Sequence, residues 1–364
     1  VAEIADKNTA SIYDDLYIYY ISGTGNARVS SEWIADEASS RGIRSSVQSI
    51  DRFENIVLPE SGDKTLIGFA FPTHGFNAAP IMLRFIAGFP GGLCRDVFLV
   101  NTRAGMKLYK LFTPGMSGLA LLLPAFILRL KGYRCIGYRP VDLPSNWIPL
   151  HPGLKKKVID SIFIRCEGIV RSFARRILSG EKVYRGLYSI PVDIAIAPIA
   201  FGYYVAGRFF LSKTFFAGSR CDNCGICIRE CPTSSIKLVN NRPYWKLTCE
   251  SCMRCLNHCP KNAIEAAHGM AVGFYFMIVL VNTWLGIAVI DLFKTSADSP
   301  WWIAFTQISR LALTIAVPAL LYKIMHYAMG FNLLRFIVRI TSLTALPFWR
   351  RYKRQTEKNK PFGK

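Results

Sequence analysis

The residues best placed to do chemistry are eight cysteines confined to positions 221–259 of a 364-residue chain that holds eleven. They form two runs, CDNCGICIRECP and CESCMRCLNHCP, each spaced C-x2-C-x2-C-x3-C-P. Cys221, Cys224, Cys227 and Cys231 recur 28 residues later as Cys249, Cys252, Cys255 and Cys259, with Pro232 matched by Pro260 and Ile236 by Ile264. Three thiolates on one tight loop can grip three irons of a cubane, while the fourth, followed by proline, turns away to a neighbouring cluster. The spacing therefore assigns Cys221, Cys224, Cys227 and Cys259 to one [4Fe-4S] cluster and Cys249, Cys252, Cys255 and Cys231 to a second. Crossed ligation of this kind locks the loops together and gives a small domain a core its few apolar residues would not supply. Zinc also takes C-x2-C pairs, but it needs four ligands per site and neither the third cysteine nor the proline. Such crowding of thiols favours metal over disulfides and calls for a reducing compartment, so the cysteine region is expected on the cytoplasmic side. Met253 stands where the first run has Gly225.

A second stretch with chemical content is SGTGN at 22–26, which follows the strand-like LYIYYIS. Glycines let successive amides converge on an anion, and hydroxyls add donors, so Ser22, Gly23, Thr24, Gly25 and Asn26 suit a phosphate. An ordinary capped turn is the alternative reading. No Ser/His/Asp set or paired carboxylates mark a hydrolase, and no residue is assigned a catalytic role.

These sites need elements to hold them. Strand-like TLIGFAFP, DVFLVNTRAG and RCIGYRPVDLP alternate with helix-like NARVSSEWIADEASSRG and IMLRFIAGF. Alternation of this kind predicts an α/β domain over 14–150, a doubly wound, mostly parallel sheet covered on both faces. Ligands of such sheets lie outside the carboxyl ends of the strands, which singles out the loops after residues 21, 71 and 100. The stretch 112–130, FTPGMSGLALLLPAFILRL, is more apolar than a helix with one solvent face requires, and is expected to meet either the membrane region or a protein partner. Residues 151–217 form a helical, apolar connector: a basic amphipathic helix, then a very apolar run broken by Asp193 and Pro198. That run reads equally as a core-packing link, an interfacial helix or a re-entrant segment. A small α+β domain holding both clusters follows at 218–268.

Beyond it the composition changes. Hydrophobic residues make up 51% of the chain, yet the formal net charge is +21. That pairing points to a basic surface beside a membrane rather than to nucleic acid. Residues 271–348 are read as membrane-associated helices, with candidate transmembrane spans at 271–293 and 301–322, each long enough for the roughly 20 residues a bilayer demands. A pair of buried core helices is the alternative. The linking KTSADSP carries no positive excess, whereas Lys323, Arg335, Arg339 and the basic tail 349–364 do, which places the tail on the cytoplasmic side. GFNLLRFIVRITSLTALPFW reads as an amphipathic helix lying on the surface. The first twenty residues lack the pattern of a secretory signal.

With SGTGN after its first strand, the segment 14–150 resembles the flavodoxin-like domain, and the cysteine block resembles the bacterial two-cluster ferredoxins. Together, residues 14–268 resemble the EFR1-like family of flavodoxin–ferredoxin fusions. The resemblance implies FMN, its phosphate wrapped by Ser22, Gly23, Thr24, Gly25 and Asn26, with Ala27 where many flavodoxins have a further hydroxyl. It implies that Pro72, Thr73, His74, Gly75 and Phe76 flank the isoalloxazine ring and that Asn101, Thr102, Arg103, Ala104 and Gly105 cover its other face. Phe76 either stacks on the ring or packs in the protein, and His74 either bonds the ring or is structural. A charge from Arg103 near the ring would stabilise an anionic reduced flavin. Paired with Asp142 or filling the site, Arg103 would instead mark a domain that has lost FMN. The expected function is a membrane-anchored electron-transfer protein that relays electrons between FMN, two [4Fe-4S] clusters and a protein redox partner, with anionic lipid as a second partner. The alternatives are an accessory oxidoreductase subunit of a membrane complex, its flavodoxin-like domain empty, and a flavin-dependent reductase of a small substrate.

Overall fold

The computed structural model describes residues 12–349 except positions 60, 61, 63, 93 and 293–299. Nearly all of the basic tail and of the KTSADSP link lie outside the described residues.

The chain begins with β1 (Asp15–Tyr20), α1 (Asn26–Ser39), β2 (Arg44–Ser49), β3 (Thr65–His74), β4 (Asn77–Ala78) and α2 (Pro80–Gly88). It continues through β5 (Asp96–Leu108), β6 (Leu111–Thr113), α3 (Leu119–Leu130), β7 (Arg134–Pro144) and α4 (Lys156–Leu178). Strands β2, β1, β3, β5 and β7 lie side by side and parallel, while β4 and β6 pair as short antiparallel hairpin strands. With the hairpin strands set aside, the order is 2-1-3-4-5, the flavodoxin-like doubly wound order, in which the switch point lies between β1 and β3.

The alternation in β3 and β5 explains the two cores. Leu66, Ala70, Phe98 and Val100 face α1 and α4, whereas Ile67, Phe69, Phe71, Val97 and Leu99 face α2 and α3. A strand buried on both sides reads as one continuous apolar run, which is what TLIGFAFP shows. The polar edge strand RSSVQS of β2 carries no such signal.

Cover for the sheet extends past residue 150. Helix α4, in the stretch read as connector, buries Ile162, Cys166, Val170, Phe173, Ala174, Ile177 and Leu178, with Phe173 edge-on to Phe98 at 5.9 Å. Each fully buried large side chain is worth about 1.5–3 kcal/mol, so α4 is a layer of the sheet domain. Next come α5 (Ile190–Ala195), α6 (Ala197–Gly202), a π-helical turn (Tyr203–Gly207) and α7 (Arg208–Leu211). Asp193, which interrupts this apolar run, is buried and accepts from the Gly118 amide (2.7 Å) and the Ser189 hydroxyl (2.7 Å). It pins the connector to the start of α3. Helix α3 in turn buries Leu121 and Leu128 while leaving Phe126 and Leu130 exposed.

The cysteine domain consists of β8 (Phe215–Ala217), α8 (Ile226–Arg229), β9 (Ile236–Val239), β10 (Arg242–Trp245), α9 (Arg254–His258) and β11 (Ile264–Ala266). Strands β8 and β11 pair antiparallel, as do β9 and β10. Helices α10 (His268–Leu292), α11 (Pro300–Ala328) and α12 (Asn332–Ile340) follow. Among the described residues, α11 alone is a single helix long and apolar enough to cross a membrane; the connector pair 185–195 and 197–205 qualifies only jointly, with a 78° bend. Helices α10 and α11 pack together through Asn282 and Thr314 (3.1 Å), and α12 docks Val338 beside Phe216, Ala267 and Met329.

Candidate cofactor and metal centres

The internal repeat of the cysteine block is also a repeat of backbone shape. Asn223 and Ser251, Gly225 and Met253, and Ser234 and Asn262 all adopt left-handed φ, from 47° to 73°, at matching positions. In both halves the amide four residues beyond the last cysteine donates to its sulfur: Ser235 to Cys231 and Ala263 to Cys259, each at 3.2 Å. These turns bring the crossed sets together. Cys221, Cys224, Cys227 and Cys259 line one small pocket. Cys231, Cys249, Cys252 and Cys255 line another, which Cys227 also touches.

The electrostatics fall into the same sets. Burial, then Cys221, Cys259 and Cys224, pushes the Cys227 thiol up to about 12. Burial does the same to Cys252, with Cys231 adding to it and Arg254 opposing it. Without metal these groups stay neutral thiols, and a bound iron cluster would take them as thiolates. Among the described residues no three His, Cys, Asp or Glu groups converge on one ion. Each quartet surrounds a space instead, which suits a four-iron cluster better than one zinc.

At the carboxyl end of the sheet lies a much larger cavity, about 1660 Å³, bordered by all three loops singled out in the sequence. Ser22, Gly23, Thr24, Asn26, Pro72, Thr73, His74, Gly75, Phe76, Thr102, Arg103 and Ala104 line it. Three expected residues support its wall from behind. Gly25 is the left-handed residue that opens α1, and Gly105 packs beneath the Asp142 backbone. Asn101 is buried, bonding Thr73 (2.6 Å) and accepting from Ser117 (3.0 Å).

The loop side chains largely serve the loop itself. Ser22 Oγ accepts from the Gly25 amide, Asn26 Nδ2 donates to the Pro144 carbonyl (2.9 Å), and Asn146 donates to Thr24 Oγ1. The amides of Gly23 and Thr24 donate to no protein acceptor among the described residues, and they stand directly before α1, where an anion is favoured. Arg103 is held by Asp142 (Nε–Oδ1 2.6 Å) and Ser117 (3.2 Å), so its charge is compensated and the cavity stays open.

Several lining residues carry no sequence motif. Asn146, Trp147 and His151 come from a fourth loop, and Ile199 and Tyr203 from the connector. His74, Trp147 and Tyr203 form a row of rings, at 6.0 Å and 5.7 Å. His74 Nδ1 and Tyr203 OH are buried without a hydrogen-bond partner. Burial lowers the His74 imidazole to about 4, so the ring is neutral at ordinary pH. Unsatisfied buried polar atoms on a cavity wall mark places for ligand atoms. The donor set, the rings and the free amides fit a phosphorylated, planar aromatic cofactor such as FMN.

The cysteine domain is tightly joined to this cavity. Cys252 lines both the second cysteine cavity and the large one. A Cβ at Gly23 would run into the Cys252 carbonyl, so only glycine permits this approach. Arg254, 3% exposed, donates to the Ser22 carbonyl (2.7 Å) and clasps Asp51 with both Nη atoms (2.5 and 3.0 Å). Glu250 accepts from the Ile81 amide (3.0 Å) and from Arg84 (2.8 Å), and Arg52 donates to the Cys231 carbonyl (3.2 Å).

Residues 220–264 match the family model described as a 4Fe-4S dicluster domain. A comparison with curated proteins gave no match. Among solved structures the chain is similar to a flavodoxin from the domain Archaea, at 16% identity over 45% of this chain and 98% of that one, with a TM-score of 0.27. Flavodoxin 1 from Bacillus cereus gives 15%, 44%, 97% and 0.30, and the rubredoxin oxygen:oxidoreductase of Desulfovibrio gigas gives 14%, 47%, 37% and 0.26. The fold assignment rests on strand order rather than on these overlaps. The chain thus joins a flavodoxin-like sheet to a 4Fe-4S ferredoxin domain, the construction of an electron-transfer protein.

Proposed function

We propose that the chain is a membrane-anchored relay, holding FMN in the large cavity and one [4Fe-4S] cluster in each cysteine cavity, and exchanging electrons with a protein partner. One observation carries this reading: the three cavities stand in a row, with Cys252 at the first junction and Cys227 at the second. Bound there, FMN supplies a carrier of two electrons, and each cluster a carrier of one. The protein's own part is to fix the order. Gly23 lets the phosphate loop touch the second cysteine loop, and Arg254 and Glu250 hold the two domains at that contact. Cys224 is exposed at the far end of the row, where a redox partner has access. The apolar exposed faces of α10 and α11, together with the positive net charge, support anchoring at an anionic bilayer. The likeness of the cysteine runs and the SGTGN loop to those of EFR1-like fusions supports the same reading.

An accessory subunit without flavin is the second reading, favoured by the Arg103–Asp142 pair and by the internal bonding of Ser22, Thr24 and Asn26. Flavin, iron and acid-labile sulfide measured on anaerobically purified, detergent-extracted protein decide between the two. The relay predicts one FMN and about eight iron per chain, the content of two four-iron clusters. Full iron without flavin selects the accessory subunit. Zinc in place of iron overturns both.

A further inference from the structure

Arg139 of β7, Arg165 and Arg176 of α4, and Arg185 at the start of the connector open onto one cavity of about 890 Å³, away from the cofactor row. Elsewhere on α4 the arginines have acidic partners: Arg171 meets Glu167, Asp36 and Glu37, and Arg175 meets Glu37. Among the described residues, only Arg176 of the cavity has one, Glu181 at 2.7 Å. Arg165 and Arg185 rest over the rings of Phe112 and Tyr188 instead. Arg139 Nε is buried and makes no hydrogen bond. Its nearest acid, Asp142, is already clamped by Arg103. Burial, with Arg185 beside it, pushes the Arg139 guanidinium below its ordinary value, an effect that Asp142 opposes. Arg165 and Arg185 are exposed and Arg139 is half-buried, and like charges gathered without counter-charge repel one another, a cost that a bound anion removes.

We propose that this cavity binds a phosphate-ester anion. Guanidinium forks pair bidentately with phosphate oxygens, and three forks from three elements suit a tetrahedral group better than a single carboxylate. Ser172 adds a hydroxyl, and at Gly168 the wall is open, since an added side chain there meets nothing within 4 Å. Soluble phosphates and phospholipid headgroups share this chemistry. The headgroup source has a structural route, because Arg185 begins the apolar segment on which Tyr188, Val192 and Ile194 are exposed.

Calorimetric titration of the full, cluster-loaded chain in non-ionic detergent tests the site, with inorganic pyrophosphate and short-chain phosphatidic acid as probes. The expected result is saturable one-to-one binding that weakens as salt is raised. Arg139→Gln or Arg185→Gln should weaken it tenfold or more. Gly168→Glu, which brings an internal carboxylate to the open wall, should abolish it. Arg44→Gln, on the opposite edge strand, should leave it unchanged. Pyrophosphate binding identifies a soluble phosphate as sufficient; phosphatidic acid binding alone identifies the headgroup. If neither probe binds, or if all three cavity variants bind as the wild type does while retaining full iron, the proposal fails.

Discussion

The two cysteine loops share one spacing and one backbone, yet they face different worlds. In the first, Asp222, Gly225 and Ile226 stand at or near the surface, and Asp222 meets only its own domain among the described residues, through the Cys224 amide (3.3 Å) and Lys261 (4.0 Å). Their counterparts, Glu250, Met253 and Arg254, are 5%, 1% and 3% exposed. Glu250 and Arg254 reach α2, Asp51 and the loop at Ser22, while Met253 packs into the core of the cysteine domain with Phe215, Trp245 and Leu256. A repeated motif therefore specifies the cluster cradle, and the residues between the cysteines specify what each cradle abuts. One loop faces solvent, the outlet of the proposed relay, and the other forms the junction with the sheet domain.

The largest test of that contrast removes one ligand from each loop. Cys255→Ala, inside the junction, should strip the second cluster, unfold the cysteine domain and release flavin with it, because metal binding and folding are coupled there. Cys224→Ala, at the outlet, should leave about four iron per chain and flavin in place. Iron and flavin analysis separates the two; equal losses from both variants would erase the contrast.

A smaller effect is expected from Arg254→Met. Breaking a buried ion pair by removing one partner costs about 3–5 kcal/mol. Asp51 and the Ser22 carbonyl are left unpaired, so flavin affinity should fall together with the melting temperature. The matching change at the outlet, Ile226→Ala, should lower neither flavin affinity nor the contact between domains. Flavin fluorescence on release reads the difference.

Met253 carries a subtler cost. It holds a left-handed φ of 63°, where its counterpart is glycine, and it is almost fully buried. Met253→Gly relieves the backbone but empties a packed site. Loss of a buried Met side chain costs about 2–5 kcal/mol and the strain returns about 1–2, so net destabilisation between about 0 and 4 kcal/mol is expected in denaturant titrations. A stabilised variant would mean that the side chain does not hold the junction.

The smallest effect concerns protons. The His74 imidazole falls from 6.5 to about 4 through burial. In the unfolded chain it binds a proton below 6.5, and in the folded chain only near 4. Its contribution to stability is therefore complete above pH 6.5 and is lost as pH falls through that window, about 3 kcal/mol in all. Nitrogen chemical shifts of the ring should show no titration between pH 5 and 8. A midpoint near 6.5 would mean that the cavity wall at His74 is open to water.

Much of this was legible in the residue order because it is local. Cysteine spacing is a property of one loop, and TLIGFAFP is a strand wherever it is placed, since both its faces must be covered. The SGTGN turn announces an anion-friendly loop because glycine conformations depend on few neighbours. Strand β2 was silent because a half-exposed edge strand needs no apolar run. Helix α4 read as connector because an amphipathic stripe does not say what it covers. The Arg103–Asp142 pair is the arrangement expected of a domain that has lost FMN, and packing adds that the pair leaves the cavity open.

By itself the sequence determined the repeat of the cysteine block, the parallel sheet and the three loops at its end. Tertiary structure decided everything that depends on contact between distant segments. Arg254 on Ser22, Asp193 on Gly118, Trp147 and Tyr203 beside His74, and Cys252 against Gly23 each join positions far apart in the chain. No local pattern encodes such pairs. They arise because two folded surfaces must satisfy each other's buried polar groups and fill each other's hollows, and that requirement exists only once both surfaces have formed.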